Sequence, residues 1–209
     1  MNEHDAALKM VVDGLPVAEI NPGKIFDMGK AALFYAERLR WPVIPIHHPM
    51  NDPRAPFGLS CSCGKECDSP GKHPMTANGL DDASLDPAVI SAWWRRWPQA
   101  NIAVRTGIAE TGGCGFDVID VDGEQGWQSW SAWLEDGDTP TIEFEAFTPG
   151  NRKRGVGRHL YVVACGTENK SNVLPLIDTR GDRGYVVTAP SRGMTGGRYA
   201  WVTPPEVSP

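Results

Sequence analysis

The sequence predicts an α+β domain, and three of its features support this fold class. Hydrophobic residues recur with helical spacing in several segments of the first two thirds, whereas residues after 140 alternate as in β-strands. These late strands follow one another, which favours antiparallel pairing. A Pro-, Gly- and Cys-rich stretch at 49–80 lacks periodicity and predicts a loop insertion that something must hold in place.

The individual elements are predicted from local signals along the chain. Asp86 and Pro87, for example, are a typical N-cap and first residue of a helix. Helices are expected at 24–40, 84–97 and 124–135. Strands are expected at 42–46 (at a sheet edge, because of its prolines), 101–105, 115–122, 141–148, 159–164, 174–178, 184–189 and 198–202. Residues 1–20 are expected to be loosely ordered and 204–209 to begin a linker, which leaves 21–203 as one domain.

Composition excludes some classes of protein. No apolar run approaches the roughly 20 residues that span a bilayer, and the N-terminus has no secretory signal, so a cytoplasmic protein without a membrane partner is expected. The net charge of −6 differs from that of strongly basic nucleic-acid binders. However, residues 141–209 contain 9 Lys and Arg against 6 Asp and Glu. This local excess fits either solvated loops or a cleft that faces phosphate.

The stretch GFDVIDVDG at 115–123 resembles a β-strand with two acidic residues on one face. Strand side chains alternate, so Asp120 and Asp122 point the same way, about 7 Å apart, and Asp117 points to the other face. Two carboxylates at this spacing can bind Mg²⁺ or Mn²⁺, which prefer oxygen ligands and serve phosphoryl transfer. The pattern also fits two solvated carboxylates, or one that caps a helix starting near Gly123.

Two further motifs place charged residues beside glycines. In GVGRHLYV at 155–162, Arg158 and His159 can donate to a phosphate that the glycines allow to approach the backbone. In LIDTRGDRGYVV at 176–187, Asp178 can add a third carboxylate, with Arg180 within reach of a triphosphate. Each segment taken alone also fits an ordinary polar hairpin.

Three of the five cysteines lie within seven residues, which in a cytosolic chain favours metal binding over disulfides. A Zn²⁺ ion would supply folding energy to the loop at about 58–75, although reduced thiols in a mobile loop are the alternative. Cys114 and Cys165 are expected to be small core residues. The candidate zinc ligands are Cys61, Cys63, Cys67 and His73, with His47 and His48 as substitutes for His73.

In this order, the three motifs resemble those of the N-terminal domain of bifunctional DNA primase/polymerases (prim-pol), in the archaeo-eukaryotic primase superfamily. The resemblance covers about 31–202, and GKHP at 71–74 and NIAVRTG at 101–107 add to it. It implies an RRM-like sheet packed with an α/β subregion, with the active site between them. The zinc-binding loop predicted from its cysteines would be an insertion in this fold. The family occurs on plasmids, phages and integrated elements, often fused to a helicase.

The resemblance also implies roles for single residues. Asp120, Asp122 and Asp178 match the carboxylates that bind the catalytic Mg²⁺ or Mn²⁺. His159 matches the histidine that contacts the phosphates of the incoming nucleotide. Beside these motifs, nucleotide contacts are implied for Arg158, Arg180 and Ser191. Lys72 of GKHP is a further candidate for nucleotide binding, through a phosphate, or for a template contact.

The expected function is template-directed nucleotidyl transfer, as a DNA primase and DNA polymerase in the replication of a phage, plasmid or integrated element. Expected partners are single-stranded DNA template, primer, nucleoside triphosphates and a C-terminal helicase domain, in the cytoplasm of a prokaryotic host. Two alternatives use the same residues differently. One is a two-metal nuclease or phosphodiesterase, and the other is a non-catalytic zinc-stabilised module that binds DNA in a replication complex.

Overall fold

The computed structural model describes residues 27–55, 58–108, 115–137 and 139–205. The predictions for residues 1–26, for Cys114 and for 206–209 lie outside these ranges. Within the described ranges, no helix is both long enough and apolar enough to cross a bilayer.

The described residues form helices, strands and a short 3₁₀ helix at Gly79–Asp82. The α-helices are Met28–Arg38 (α1), Pro87–Arg96 (α2) and Gly123–Asp136 (α3). The strands are Val43–Ile46 (β1), Pro49–Asn51 (β2), Leu59–Cys61 (β3), Asn101–Arg105 (β4), Phe116–Val121 (β5), Phe144–Asn151 (β6), Gly155–Val163 (β7), Lys170–Leu174 (β8), Ile177–Arg180 (β9), Tyr185–Val187 (β10) and Ala200–Thr203 (β11).

The strands of the described ranges form two main sheets and a separate hairpin, all with antiparallel pairing. One sheet has six strands in the order β11-β6-β7-β5-β9-β8, and the other has three in the order β1-β4-β10. β2 and β3 form the hairpin that opens the Cys-rich loop. The predicted α+β class is confirmed, and β1 lies at a sheet edge as its prolines predicted.

A cluster of buried aromatic side chains ties the two sheets and the first helices together. Trp41 stacks on Tyr35 and on Tyr161, with ring centroids 5.8 and 5.7 Å apart. Trp201 donates from Nε1 to the Tyr35 hydroxyl at 3.0 Å, and that hydroxyl donates to the Ala189 carbonyl at 2.7 Å. Aromatic side chains bury more apolar area than other residues, so this cluster is a large part of the stabilising free energy.

Helix α3 covers the other face of the six-stranded sheet. Trp130 is buried there and packs with Val121, Leu160 and Ile177, one residue from each of three adjacent strands. Since strand residues alternate, the residues next to these on β5, β7 and β9 face the opposite side. That opposite side is the one on which the acidic motif residues are found.

The helix starts follow capping chemistry. Asp27 accepts a hydrogen bond from the Lys30 backbone N at 3.0 Å, so α1 begins at Met28 rather than at 24. Helix α2 begins as predicted, with Pro87 first and Asp86 accepting from the Ala88 N at 2.8 Å.

The strand predicted at 174–178 is wrong. β8 ends at Leu174 and β9 begins at Ile177, so a two-residue hairpin turn at Pro175 and Leu176 interrupts the predicted strand, and Leu176 has a φ of 60°. Leu174 and Ile177 both pack into the cluster beneath α3, which explains an apolar pattern that resembled one strand. The strand predicted from 159 begins earlier, at Gly155, so the glycines of that motif belong to the strand itself.

Candidate active site

Three neighbouring strands place His159, Asp120 and Asp178 in one row. In the antiparallel register, Asp120 on β5 is paired with His159 on β7 and with Asp178 on β9. Directly paired residues lie on the same face of a sheet, with Cβ atoms about 5 Å apart. Residues from all three sequence motifs therefore meet on the sheet face that points away from α3.

Asp122 lies next to this row, where the strand gives way to the helix. β5 ends at Val121, and Asp122 has the N-cap position of α3 without making a capping hydrogen bond. Its carboxylate pairs instead with Arg154 in the β6–β7 hairpin, at 2.5 Å between Oδ2 and Nη1. Gly123, with a φ of 68°, allows the chain to turn immediately after it.

Asp178 is oriented by donors from its own hairpin. Its Oδ1 accepts from the Asn172 backbone N at 2.9 Å, and its Oδ2 accepts from Arg180 Nη2 at 2.7 Å. The Ser171 hydroxyl donates to the same Oδ2 at 3.4 Å. Charge-assisted hydrogen bonds of this kind restrict the carboxylate to one orientation, so Asp178 is held in the row.

The carboxylates of Asp120, Asp122 and Asp178 are close together, and Asp120 is largely shielded from water. The pKa of Asp120 is raised to about 6, because burial and the charges of Asp122 and Asp178 disfavour its ionised form. Lys72 and Arg180 act in the opposite direction but do not cancel this effect. A cation bound between these carboxylates would remove the repulsion.

His159 is a neutral side chain with one nitrogen left unpaired. Burial, together with the charges of Lys72 and Arg180, lowers its pKa to about 3. Its Nε2 is 3.5 Å from Asp120 Oδ1, and its Nδ1 is buried without a hydrogen-bond partner. Leaving a buried polar nitrogen unpaired is unfavourable, so His159 is suited to contact a bound ligand.

A cavity of about 340 Å³ opens beside this row. Its lining includes Asp120 and His159, together with cations from two other segments: Lys72 from the Cys-rich loop, and Arg180 at the end of β9 with Arg183 in the turn that follows. Several cations beside a carboxylate suit a polyanion that binds together with a divalent cation.

Tyr185, Tyr199 and Asn169 also line the cavity, and the sequence analysis did not identify them. Tyr185 donates from its hydroxyl to the Lys72 carbonyl at 2.9 Å, which joins β10 to the Cys-rich loop. It lies within the third motif, so its position beside Gly184 was an available signal. Tyr199 contacts the His159 ring with centroids 5.8 Å apart, but nothing in its local sequence indicated this.

The structure does not bring Arg158 to the cavity, contrary to the expected nucleotide contact. Arg158 precedes His159 on β7, so it points to the α3 side of the sheet. Its guanidinium lies 3.8 Å from the Phe147 ring centroid, and its Nε pairs with Glu145 at 3.0 Å. The alternation of strand faces is the reason, because neighbouring residues cannot share one face.

Ser191, the second of the expected nucleotide contacts, is also outside the cavity. Its side chain is fully buried, and its hydroxyl accepts from the Ile102 N at 2.9 Å and donates to the Ile102 carbonyl at 3.2 Å. These bonds connect the segment after β10 to β4. The hydroxyl is therefore used in the core.

Asp120, Asp122 and Asp178 form a donor set that fits Mg²⁺ or Mn²⁺. All three offer carboxylate oxygens, which are the ligands these ions prefer. Burial first, and the charges of Asp122 and Asp178 in addition, raise the pKa of Asp120, and a bound cation would favour its ionised form. The donor chemistry and the electrostatics therefore agree with a divalent cation in this place.

A second cluster contains the Cys-rich loop's three cysteines and a histidine, with ligand atoms within 4.8 Å of one another: Cys61, Cys63, Cys67 and His73. Cys63 Sγ lies 3.6 Å from Cys67 Sγ, and Cys61 Sγ lies 3.5 Å from His73 Nε2. A tetrahedral ion with Zn–S bonds of about 2.3 Å holds two sulfurs about 3.8 Å apart. The cluster could therefore bind zinc with little rearrangement.

The two substitute ligands considered for His73 are not part of this cluster. His47 Nδ1 lies 2.9 Å from Ser62 Oγ, and its ring lies against that of His73 with centroids 4.3 Å apart. The backbone N of His48 donates to the same Ser62 hydroxyl at 3.0 Å. Both residues support the loop around the cluster.

The expectation that Cys165 is a core residue is wrong. Cys165 is exposed and follows the end of β7. Its backbone N donates to Asp117 Oδ2 at 3.2 Å, as does the Thr167 N at 3.3 Å. Asp117 therefore has a structural role, because it organises the loop that follows β7.

The molecule is thus an α+β domain with a carboxylate–histidine row beside a cation-lined cavity, and with a Cys₃His cluster in a loop. Comparison with protein families matches residues 32–209 to the N-terminal domain of bifunctional DNA primase/polymerases. The chain belongs to this Prim-Pol family, as the order of its motifs predicted. Membership implies a nucleotidyltransferase-type enzyme with DNA and nucleotides as substrates. A search of curated proteins found no match to the chain.

Proposed function

We propose that this domain is a template-directed DNA primase and DNA polymerase, which joins nucleotides on single-stranded DNA with Mg²⁺ or Mn²⁺. The observation that carries the proposal is the row of His159, Asp120 and Asp178 beside a cavity lined by Lys72 and Arg180. Nucleotidyl transfer needs both groups, because carboxylates hold the cations and basic side chains hold the triphosphate.

Asp120, Asp122 and Asp178 would hold the catalytic cations. When bound, these cations lower the pKa of the attacking 3′-hydroxyl and stabilise the charge on the transferred phosphoryl group. Arg180 orients Asp178 through its hydrogen bond and also lines the cavity. Arg180 therefore fixes the position of the Asp178 carboxylate relative to the cavity that would bind the triphosphate.

Lys72, Arg180 and Arg183 would bind the triphosphate, and His159 would contact it through a neutral imidazole. A neutral ring can donate one hydrogen bond without adding a charge beside the carboxylates. Tyr199 supports the His159 ring, and Tyr185 holds the backbone of Lys72. These contacts keep the reacting groups in line, which is a large part of catalysis in phosphoryl transfer.

We propose Zn²⁺ as the structural ion of the Cys₃His cluster. Lys72 directly precedes His73, and the loop then returns to β1 through a hydrogen bond from the Met75 N to the Pro45 carbonyl at 3.0 Å. Ordering of the loop by metal therefore also orders the segment that carries Lys72.

The cation-lined cavity favours a polymerase over a two-metal nuclease or a non-catalytic DNA-binding module, because neither of those needs a triphosphate site. Other parts of the proposal derive from the sequence. The domain limits of 21–203 and the cytoplasmic location depend on local sequence signals. The C-terminal helicase domain, the prokaryotic host and the link to a phage, plasmid or integrated element depend on the resemblance.

The test is incorporation of labelled nucleotide on a primer–template with Mn²⁺. The native chain is expected to extend the primer, and Asp120→Ala and Asp178→Ala to abolish extension. Lys72→Ala is expected to raise the KM for nucleotide. Asp81→Ala is the matched control, since Asp81 is an exposed carboxylate on the 3₁₀ helix and should leave extension unchanged.

Two outcomes would contradict the proposal. Shortening of the DNA by the native chain without extension products would indicate a nuclease. DNA binding that survives Asp120→Ala, with no incorporation by the native chain, would indicate the non-catalytic module.

A further inference from the structure

The tip of the β6–β7 hairpin, residues 151–154, carries three consecutive cations that the cavity does not use. Arg152, Lys153 and Arg154 are exposed, in a chain with a net charge of −6. They contribute to the basic excess of residues 141–209. We call this segment the basic tip.

The basic tip has a fixed shape. The Asn151 side chain accepts hydrogen bonds from the backbone N of Lys153 and of Arg154, both at 3.0 Å. Gly150 and Gly155, with φ of 59° and 82°, close the turn on either side. The three cations are therefore presented by an organised turn.

The basic tip also lies directly against the start of α3. A β-carbon at Gly123 would overlap the Arg154 carbonyl oxygen, so only glycine allows this approach. From there, the Arg154 side chain reaches the Asp122 carboxylate. The tip is thus a neighbour of the proposed catalytic carboxylates.

The carboxylates lie between two separate groups of cations. Asp120 lines the cavity with Lys72 and Arg180, whereas Asp122 is not among the residues that line it and contacts the basic tip. In an in-line phosphoryl transfer, the attacking hydroxyl is opposite the leaving pyrophosphate. The cations of the basic tip lie on the side of the carboxylates opposite the proposed triphosphate site. They are therefore close to the DNA strand that carries the attacking hydroxyl.

We propose that the basic tip binds the backbone phosphates of the primer strand, with Arg154 nearest to its 3′ end. This assignment depends on the proposed function, because it takes the cavity as the triphosphate site. Arginine and lysine on a rigid turn are suited to phosphate, since each contact also releases counterions from DNA.

An exposed aromatic side chain adds to this surface. Trp127 lies four residues after Gly123 on α3, about 6 Å along the helix axis. It is 39% exposed although it is large and apolar. Its ring centroid lies 5.8 Å from the Arg158 guanidinium on β7, four residues after Arg154, so the ring lies against the hairpin that carries the basic tip. Exposed aromatic rings near basic segments are a combination that binds DNA strands without sequence preference.

The test compares Lys153→Ala/Arg154→Ala with the matched control Arg95→Ala/Arg96→Ala, which removes two exposed cations from α2. Binding of a fluorescent primer–template is measured by anisotropy across a salt series, without nucleotide or added divalent cation. The tip variant should lose at least about tenfold in affinity at 0.1 M salt, and its salt slope should fall by about two. The control should stay close to the native chain.

Triphosphate binding in the presence of Mn²⁺, measured by calorimetry, should be unchanged in Lys153→Ala, which leaves the contact between Arg154 and Asp122 intact. Arg154→Lys should keep most of the DNA affinity that Arg154→Gln loses, which separates a phosphate contact from a folding defect. Equal DNA affinities in the tip variant and the control would overturn the assignment of the basic tip. Failure of the native chain to incorporate nucleotide, with normal DNA binding, would count against the proposed function alone.

Discussion

Replacing Asp120 by Asn should make the metal-free protein more stable while abolishing its activity. The pKa of this carboxyl is raised from an ordinary 3.8 to about 6, mainly by burial and by Asp122. A raised carboxyl pKa means that the folded protein holds the proton more tightly than the unfolded chain does. The contribution of Asp120 to stability is thus fully present below about pH 4 and is lost as the pH rises through 6.

The change in the pKa of Asp120 gives the size of the expected difference in the free energy of unfolding. About two pKa units correspond to about 3 kcal/mol of destabilisation by the ionised form. Since Asn is uncharged at every pH, Asp120→Asn should exceed the native chain in free energy of unfolding by about 3 kcal/mol at pH 8. The difference should shrink to under about 1 kcal/mol near pH 4.

The assay is urea unfolding over a pH series, without chelator and with no added Mg²⁺ or Mn²⁺. Addition of Mn²⁺ should stabilise the native chain and leave Asp120→Asn largely unaffected, because only the native chain has the complete donor set. Asp117→Asn is the matched control on the opposite face of the same strand. Its carboxylate already accepts two backbone N–H bonds, so no gain in stability is expected.

One result would refute this reasoning. If Asp120→Asn were no more stable than the native chain at pH 8 without divalent cations, the carboxylate row would not be a site of unrelieved charge. The argument for a bound cation would then lose its electrostatic support.

Three further predictions concern the Cys-rich loop, the cavity, and the contact between Gly123 and the basic tip. Cys61→Ser should lower bound zinc well below one ion per chain and, by disordering the segment of Lys72, weaken nucleotide binding. The control Cys165→Ser should retain the metal. Full zinc content in both variants, measured by elemental analysis, would exclude Cys61 as a ligand. Tyr185→Phe should raise the KM for nucleotide by about two- to tenfold, the worth of one hydrogen bond, in steady-state incorporation assays; an unchanged KM would mean that this contact does not position Lys72. Gly123→Ala should cost about 2 kcal/mol or more in urea unfolding, from its left-handed φ and the overlap with the hairpin, and a neutral effect would disprove that packing.

Much of the fold could be predicted from short-range signals. Asp86 and Pro87 marked a helix start, and the alternation in 115–122 marked the strand that carries the acidic pair. The prediction failed at 174–178, where the apolar residues Leu174 and Ile177 end one strand and begin the next, and both pack beneath α3. A local apolar pattern cannot distinguish one strand from two strand ends joined by a short turn, since both carry apolar side chains.

The candidate site was predictable in its residue types more than in its geometry. The order of the acidic, histidine and basic motifs indicated the family, and the family comparison confirmed it. Arg158 was selected because it lies beside His159, yet strand alternation places it on the opposite face. Ser191 was selected for its place near the third motif, but its hydroxyl is bonded to Ile102 in the core.

The sequence by itself determined the chemistry available to this protein: carboxylates on a strand, a histidine and arginines beside glycines, and thiols spaced for a metal. These are properties of residue type and local spacing, which the chain carries before it folds. Only the tertiary structure decided which of these groups meet. The pairing of Asp120 with both His159 and Asp178, and the contact between Arg154 and Asp122, depend on strand register. Register is set by burial of the two sheet faces against α3 and the aromatic core, which are interactions between distant parts of the chain.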